Sequence, residues 1–217
     1  MTGRVALGAV GVLAMSPAPL DVPRLRCPPL VLRAFTAEDA LLVVEASRDP
    51  CITATTTVPE DPGPREVQAF LDRQHERARS GQGWSLAIAD IVTDQGLGQI
   101  GLWPHGQGRA SVGCWVLPTA RRRGIATTAL SCLSVWGLGQ PGTTRLELYV
   151  EPGDEGSLRA AAAAGYQQEA LLHGHREIDG RRRDMLLLTR TDHLSGHGAP
   201  RPCEAVTVPG SRSPASS

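Results

Sequence analysis

The chain has 217 residues, 41% of them hydrophobic, which suits one domain with loose ends better than two domains of ordinary size. Its 22 basic and 22 acidic residues cancel to a formal charge of zero, which excludes the broad positive surface of a general nucleic-acid or anionic-membrane binder. Aromatic residues make up only 4%, too few for a platform that stacks single-stranded bases.

Residues 1–28 are rich in Pro, Gly and Ala without sustained periodicity and are expected to be a disordered leader. The apolar run from Val5 to Met15 after Arg4 imitates a weak secretory signal. It lacks a clear small-residue cleavage site and is well short of the ~20 residues that cross a bilayer. Leu30–Phe35 reads as a strand. Thr36, with Asp39 three residues on, opens a helix through Ala46. Pro64 to Arg79 forms a second helix, with Val67, Phe70 and Leu71 on one face and Gly81 and Gly83 ending it. Trp84–Ile91, Leu97–Trp103 and Arg109–Leu117 then read as an antiparallel meander joined by Gly-rich turns.

After Pro118 the period becomes helical from about 121 to 137, through Ile125, Ala129, Leu130, Leu133 and Trp136. Arg145–Val150 is a β-rich run, and Glu155–Ala164 is a strong helix former closed by Gly165. Residues 169–178 and 184–190 flank the turn dipeptide Asp179-Gly180, and residues 192–217 are expected to be a disordered tail. The domain at 29–191 is therefore α/β, a mixed sheet of about seven strands with four helices whose antiparallel half precedes a parallel step.

Five cysteines, at 27, 51, 114, 132 and 203, contain no C-x-x-C pair, so neither a disulfide framework nor a metal site is expected, and a reduced cytoplasmic protein is. The segment with chemistry in it is 115–127, where a strand ends, turns and enters a helix through Arg121-x-x-Gly124-x-Ala126. A helix N-terminus presents unpaired amides and the positive end of the macrodipole. Arg121, Arg122 and Arg123 add charge, so the segment suits a pyrophosphate.

Arg121-x-x-Gly124-x-Ala126 after an apolar strand resembles the Q/R-x-x-G-x-G/A acetyl-CoA motif of the GNAT superfamily of N-acetyltransferases. The stretches Leu30–Phe35, Gly98–Leu102, Val112–Pro118, Arg145–Val150, Gly165-Tyr166 and Arg176–Asp184 are similar to its Rim-type branch, which includes ribosomal-protein N-terminal acetyltransferases. The resemblance covers roughly residues 29–190. It implies a GNAT-like, centrally splayed sheet with pantetheine in the V between the strands at 109–117 and 145–150. Backbone groups of Val116 and Leu117 would pair with the pantetheine amides. Those from Arg122 through Arg123, Gly124, Ile125, Ala126 and Thr127 would cradle the pyrophosphate, beside Arg121. Asp154 stands where the family usually has Asn, at the pantetheine arm.

The resemblance implies acetyl transfer from acetyl-CoA as cosubstrate to a primary amine, without metal. Two family positions depart from the pattern: the usual Glu is Ser111 here, and the usual Tyr donor to the thiolate is Ala161. Glu147, opposite in face to Leu146 and Leu148, is the nearest remaining base, unless it is a strand carboxylate paired with an Arg. Ser157, one turn before Ala161, is the candidate donor, unless it is an ordinary first-turn Ser.

His173 and His175, two apart on a strand, are expected to share a face and could line an acceptor pocket. Cys114 reads as a small buried hydrophobe, Arg181 to Arg183 as a solvated hairpin shoulder, and Trp84, Trp103 and Trp136 as core. The expected acceptor is a protein or peptide N-terminal amine. The alternatives are a small-molecule amine, such as an aminoglycoside or polyamine, and a non-catalytic acyl-CoA-binding regulatory domain. No direct nucleic-acid or membrane partner is expected, and the oligomer is a monomer or homodimer.

Overall fold

The computed structural model describes residues 18–191 and the backbone of 204 and 205. Its backbone is one mixed sheet, in which β1 (Leu25–Cys27) turns through two prolines into β2 (Leu30–Arg33). The meander follows as β3 (Trp84–Asp90), β4 (Gly96–Gly106) and β5 (Arg109–Val116). Next come β6 (Arg145–Val150), β7 (Gln167–Ile178) and β8 (Arg181–Thr191), and a two-residue β9 (Glu204–Ala205). In space the order is β7-β8-β6-β5-β4-β3-β2-β1-β9, and among the described residues only β5 and β6 run parallel.

Among the described residues five α-helices cover the sheet: α1 (Ala40–Ala46), α2 (Pro50–Thr55), α3 (Pro64–Arg79), α4 (Ile125–Leu138) and α5 (Glu155–Ala163). The amphipathic α3 buries Val67, Phe70 and Leu71 against one face, beside β3. The more uniformly apolar α4 lies with α5 on the other, where Leu102, Leu146 and Leu148 point. Strand β3 is buried along nearly its whole length because it is covered on both sides.

The parallel pairing sets the site. Arg109–Val112 of β5 pair with Arg145–Leu148 of β6, and the register then stops. Beyond it β5 stays on β4 and β6 stays on β8, so the two strands part at Gly113 and Tyr149 and leave a V open at their C-terminal ends.

Several elements differ from expectation. The segment expected as leader contains β1, with Leu25 wholly buried, and it is tied further by Trp84 Nε1 donating to the Asp21 carbonyl (2.9 Å). The segment expected as tail contributes β9, which pairs with β1. The rest of the tail, and residues 1–17, lie outside the described residues. Helix α2, six residues long, is too short to display a period, and its start is set by Asp49 accepting from the Cys51 amide (2.9 Å). The helix expected from about 121 begins at Ile125, since Arg122 (φ 61°) and Gly124 (φ 74°) are left-handed and form the turn that leads into it. Around Thr36 the first turn is a 3-10 turn, closed by the expected box in which Asp39 accepts from the Thr36 amide.

Candidate active site

Antiparallel pairing alternates the direction of backbone groups along β5. The Leu117 amide donates to the Leu97 carbonyl (2.9 Å), so by period two Cys114 and Val116 turn their N–H and C=O groups the other way, into the V. The Val116 N–H therefore suits a pantetheine carbonyl, whereas the Val116 carbonyl already accepts from Arg121 Nε and the Leu117 amide is spent on β4. At the end of the strand, Gly124 is the N-cap of α4, and the first intrahelical bond is Thr128 N–H to Gly124 C=O (3.0 Å). The amides of Ile125, Ala126 and Thr127 consequently have no partner within the helix and point out of its positive end. Among the described residues, nothing beyond its own chain neighbours lies within 4 Å of where a Gly124 side chain would begin, so the space beside these amides is open to an anion.

The three arginines divide. Arg121 Nε donates to the Val116 carbonyl (3.0 Å), and its terminal nitrogen pairs with Asp49 at the start of α2. It fastens the turn to the opposite face of the sheet. Arg122 and Arg123 are exposed beside the helix start.

Glu147 has no exposed surface, yet it is an ionised cluster and no isolated acid. Its Oε1 accepts from Arg109 Nε (2.8 Å) and Arg145 Nε (2.9 Å), and its Oε2 accepts from the Tyr149 hydroxyl (3.0 Å). Burial pushes its carboxyl up, but the hydrogen bonds from Arg145, Arg109 and Tyr149 win and hold it below the ordinary range. A carboxylate so stabilised is a weak proton acceptor. It is the in-register neighbour of Ser111, the position where the family base is missing.

Ser157 and Asp154 stand together at the start of α5. Asp154 Oδ1 accepts from the Ser157 amide (3.0 Å) and Oδ2 from the Ser157 hydroxyl (2.6 Å), so the aspartate caps the helix and holds the serine proton. Ala161 is wholly buried and offers no polar atom. The Tyr166 hydroxyl meets Ser134 in the core (2.8 Å), far up the scale because burial pushes it to about 12. Burial likewise pushes the Cys114 thiol to about 12, although the residue is only partly buried and packs against the core from its edge and not within it as expected.

The face of the sheet that carries Glu147 also carries the wall of the V. Trp103 is half-buried, its ring lying across Gly101 and Gly113, where a Gly113 side chain would begin 3.1 Å from ring carbon Cζ3. The Arg77 guanidinium covers that ring at 5.5 Å. Trp84, buried in the core, and Trp136, partly buried at its margin, meet edge to face 4.9 Å apart.

His173 and His175 do not share a face. A register shift between Leu172 and Arg176, with Gly174 at φ 54°, turns them apart. His173 goes to Asp184 (2.9 Å), while His175 stacks on Tyr149 at 4.9 Å and 9°. Arg176 then reaches the Thr55 carbonyl at the end of α2 (3.2 Å), so the β7–β8 hairpin and α2 meet over this face. The alternating spacing of the two histidines could not reveal this. The Gly between them was the available signal.

Among the described residues no cluster of His, Cys, Asp or Glu could hold a metal, and no helix is long and apolar enough to cross a membrane. A cavity of about 380 Å³, lined by Trp84, Pro104, Arg109 and Pro141 among others, opens at the opposite end of β5 from the V.

Residues 29–167 match the model of the acetyltransferase (GNAT) domain. An uncharacterized N-acetyltransferase p20 of Bacillus licheniformis is 24% identical over 162 residues, spanning 74% of this chain and 91% of that one. Among solved structures, Mycobacterium smegmatis RimJ in complex with CoA-disulfide superposes with a TM-score of 0.65 at 24% identity, covering 84% of this chain and 91% of that one. A spermidine N-acetyltransferase from Vibrio cholerae, in complex with CoA and spermine, gives 0.64 at 14% identity over 76% and 97%. With the splayed β5–β6 pair and the helix N-terminus beside it, the domain match places the chain: it belongs to the GNAT acetyltransferase family and is an N-acetyltransferase.

Proposed function

We propose that the protein is a cytoplasmic enzyme that transfers the acetyl group of acetyl-CoA to the N-terminal amine of a protein or peptide. The observation that carries the cofactor is the geometry of the turn. Two left-handed residues, Arg122 and Gly124, deliver three helix-start amides to an open space at the end of the V. The amides of Ile125, Ala126 and Thr127 would hold the pyrophosphate, Arg122 and Arg123 would add charge, and the Cys114 and Val116 backbone groups would orient the pantetheine. Bound there, acetyl-CoA supplies an acyl group activated as a thioester. The residues of the chain contribute orientation and a proton acceptor for the incoming amine.

The charge of the acceptor face supports a peptide over a polyamine. Arg73 and Arg77 on α3 have no carboxylate within 4 Å among the described residues, and Glu147 is neutralised by two arginines. A polycation would meet uncompensated positive charge there, whereas a neutral or acidic N-terminal segment would not.

Release of free thiol from acetyl-CoA, measured against peptides beginning with Ala or Ser, spermidine and an aminoglycoside, tests the reading. Turnover should be highest with a peptide. Preference for spermidine would transfer the enzyme to the polyamine class, and acetyl-CoA binding with no thiol released by any amine would leave a non-catalytic domain.

A further inference from the structure

We infer that His175 is the base that receives the proton of the acceptor amine, held at the mouth of the V by Tyr149; this rests on the acetyl-transfer reading above. The argument begins with what the usual position lacks. Ser111 cannot act as a base, and its neighbour Glu147 is committed to Arg109, Arg145 and the Tyr149 hydroxyl. A site that transfers to an amine still needs an acceptor for one proton.

Tyr149 marks where that acceptor must stand. It is the first β6 residue past the last β5–β6 pair, Val112 with Leu148, so its ring lies where the strands part. Arg145, Glu147 and Tyr149 alternate with Leu146, Leu148 and Val150, which places the ring on the face opposite α4, the face bounded by α2, α3 and the hairpin tip. Its hydroxyl is fixed on Glu147 at 3.0 Å, and the fixed ring carries the His175 imidazole in parallel contact at 4.9 Å. Strand β7 is separated from β6 by β8, so His175 reaches Tyr149 only because the shift between Leu172 and Arg176 folds the hairpin inward.

The charged groups around the imidazole come from each neighbouring element. Glu147 lies behind Tyr149 on β6, with Arg145 of the same strand, Arg109 of β5 and, from β4, His105, whose Nε2 stands 3.5 Å from the Glu147 Oε2. From β8, Asp184 holds His173 and the Gly174 amide, and Arg182 donates to the Gly174 carbonyl. Arg176 is turned to the Thr55 carbonyl on α2. His175 itself is exposed, and its ring nitrogens have no hydrogen-bond partner among the described residues.

In the step, the neutral amine forms the N–C bond and the C–S bond of the thioester breaks. The proton lost from nitrogen passes to the His175 ring nitrogen and then to solvent. The departing thiolate takes up one proton from solvent, through Ser157 or directly, so that amine and acetyl-CoA become amide and CoA thiol.

The test uses the full chain and the best acceptor of the amine panel. H175Q should lower kcat by about a hundredfold or more, leave acetyl-CoA affinity unchanged and abolish the acidic limb of the kcat/KM profile. Added imidazole should restore part of the activity of H175A. H173Q, at an exposed residue turned to Asp184, should keep the acidic limb. Raised KM in H175Q with kcat and pH profile intact would mean a pocket wall and would overturn the base. Wild-type protein that binds acetyl-CoA but acetylates no amine would remove the enzymatic reading, and the base with it, and is told apart by the absence of any turnover to profile.

Discussion

A carboxylate with no exposed surface persists on β6 because three donors replace its water: Arg109, Arg145 and Tyr149. Arg145 is shared further with Glu169 (2.8 Å), and its guanidinium is raised by these hydrogen bonds against the opposing effect of burial, so the pair stays ionised. Since the folded carboxyl of Glu147 lies below its ordinary value of 4.5, the unfolded chain takes the proton first as pH falls. Its contribution to stability is complete above that range and is lost as pH drops through the lower folded value. Glu147→Gln should therefore flatten the acid side of the stability profile. It should cost about 2 kcal/mol at pH 7, less than the about 3–5 kcal/mol for breaking a fully buried pair, because solvent also reaches Arg109. Urea melts of both proteins from pH 3 to 8 check this.

Asp154 is the second residue whose role the geometry redirects. Both its oxygens serve Ser157, so Asp154→Asn keeps the oxygen that caps the Ser157 amide and replaces the one that holds the hydroxyl proton with a donor. The freed hydroxyl can then donate to a thiolate. The expected result is a several-fold rise in kcat with stability within about 0.5 kcal/mol of the parent. A tighter acetyl-CoA complex, by roughly 1 kcal/mol or about fivefold, would instead mean that the side chain reaches the pantetheine. Equal kcat and equal affinity would leave Asp154 as a cap alone.

Among the elements, the turn into α4 carries the most specific demand on sequence. Gly124 at φ 74° adopts a conformation that costs an L-residue about 1–2 kcal/mol, and it does so beside open space. Gly124→Ala should therefore lose stability by about that amount with moderate loss of affinity. Gly124→Asp adds a negative charge against the bound anion and should weaken acetyl-CoA by at least about 2 kcal/mol more. Calorimetric titration of the folded variants separates strain from charge, and wild-type affinity in Gly124→Asp would remove the pyrophosphate from this turn. The spacing Arg121-x-x-Gly124-x-Ala126 made the turn legible, because a strand end, a glycine and a helix start are all local. The fate of Arg121 was not legible, since its partner Asp49 lies 72 residues away on a helix too short to announce itself. The same holds for His175, whose meeting with Tyr149 depends on a bulge that alternation in the sequence conceals.

At the scale of the whole molecule, the meander, the parallel step and the closing hairpin follow from periodicity, whereas the sheet's far edge does not. Leu25-Arg-Cys27 is too short to alternate visibly, and its neighbours are prolines, so composition reads it as leader. Tertiary contact decides otherwise. Leu25 is wholly buried, Cys27 is 9% exposed, and β1 both pairs with β2 and supplies the edge on which β9 rests. Leu25 alone is worth roughly 2 kcal/mol of apolar burial, and the ladder with β2 and the Trp84–Asp21 hydrogen bond add to it. A chain beginning at residue 29 should then be less stable by about 3 kcal/mol than one beginning at residue 18, a drop in Tm of about 6–12 °C for a domain of this size. Within the sheet, three strands, β2, β3 and β4, separate β1 from the V, and although α4 also packs against β1, the helix-start amides at Ile125 to Thr127 are presented by the left-handed turn at Arg122 and Gly124. Acetyl-CoA affinity should accordingly be unchanged below the lowered Tm. Equal melting temperatures would show that β1 adds nothing to the core, and a loss of affinity in parallel with stability would show that the far edge of the sheet and the V are one cooperative unit.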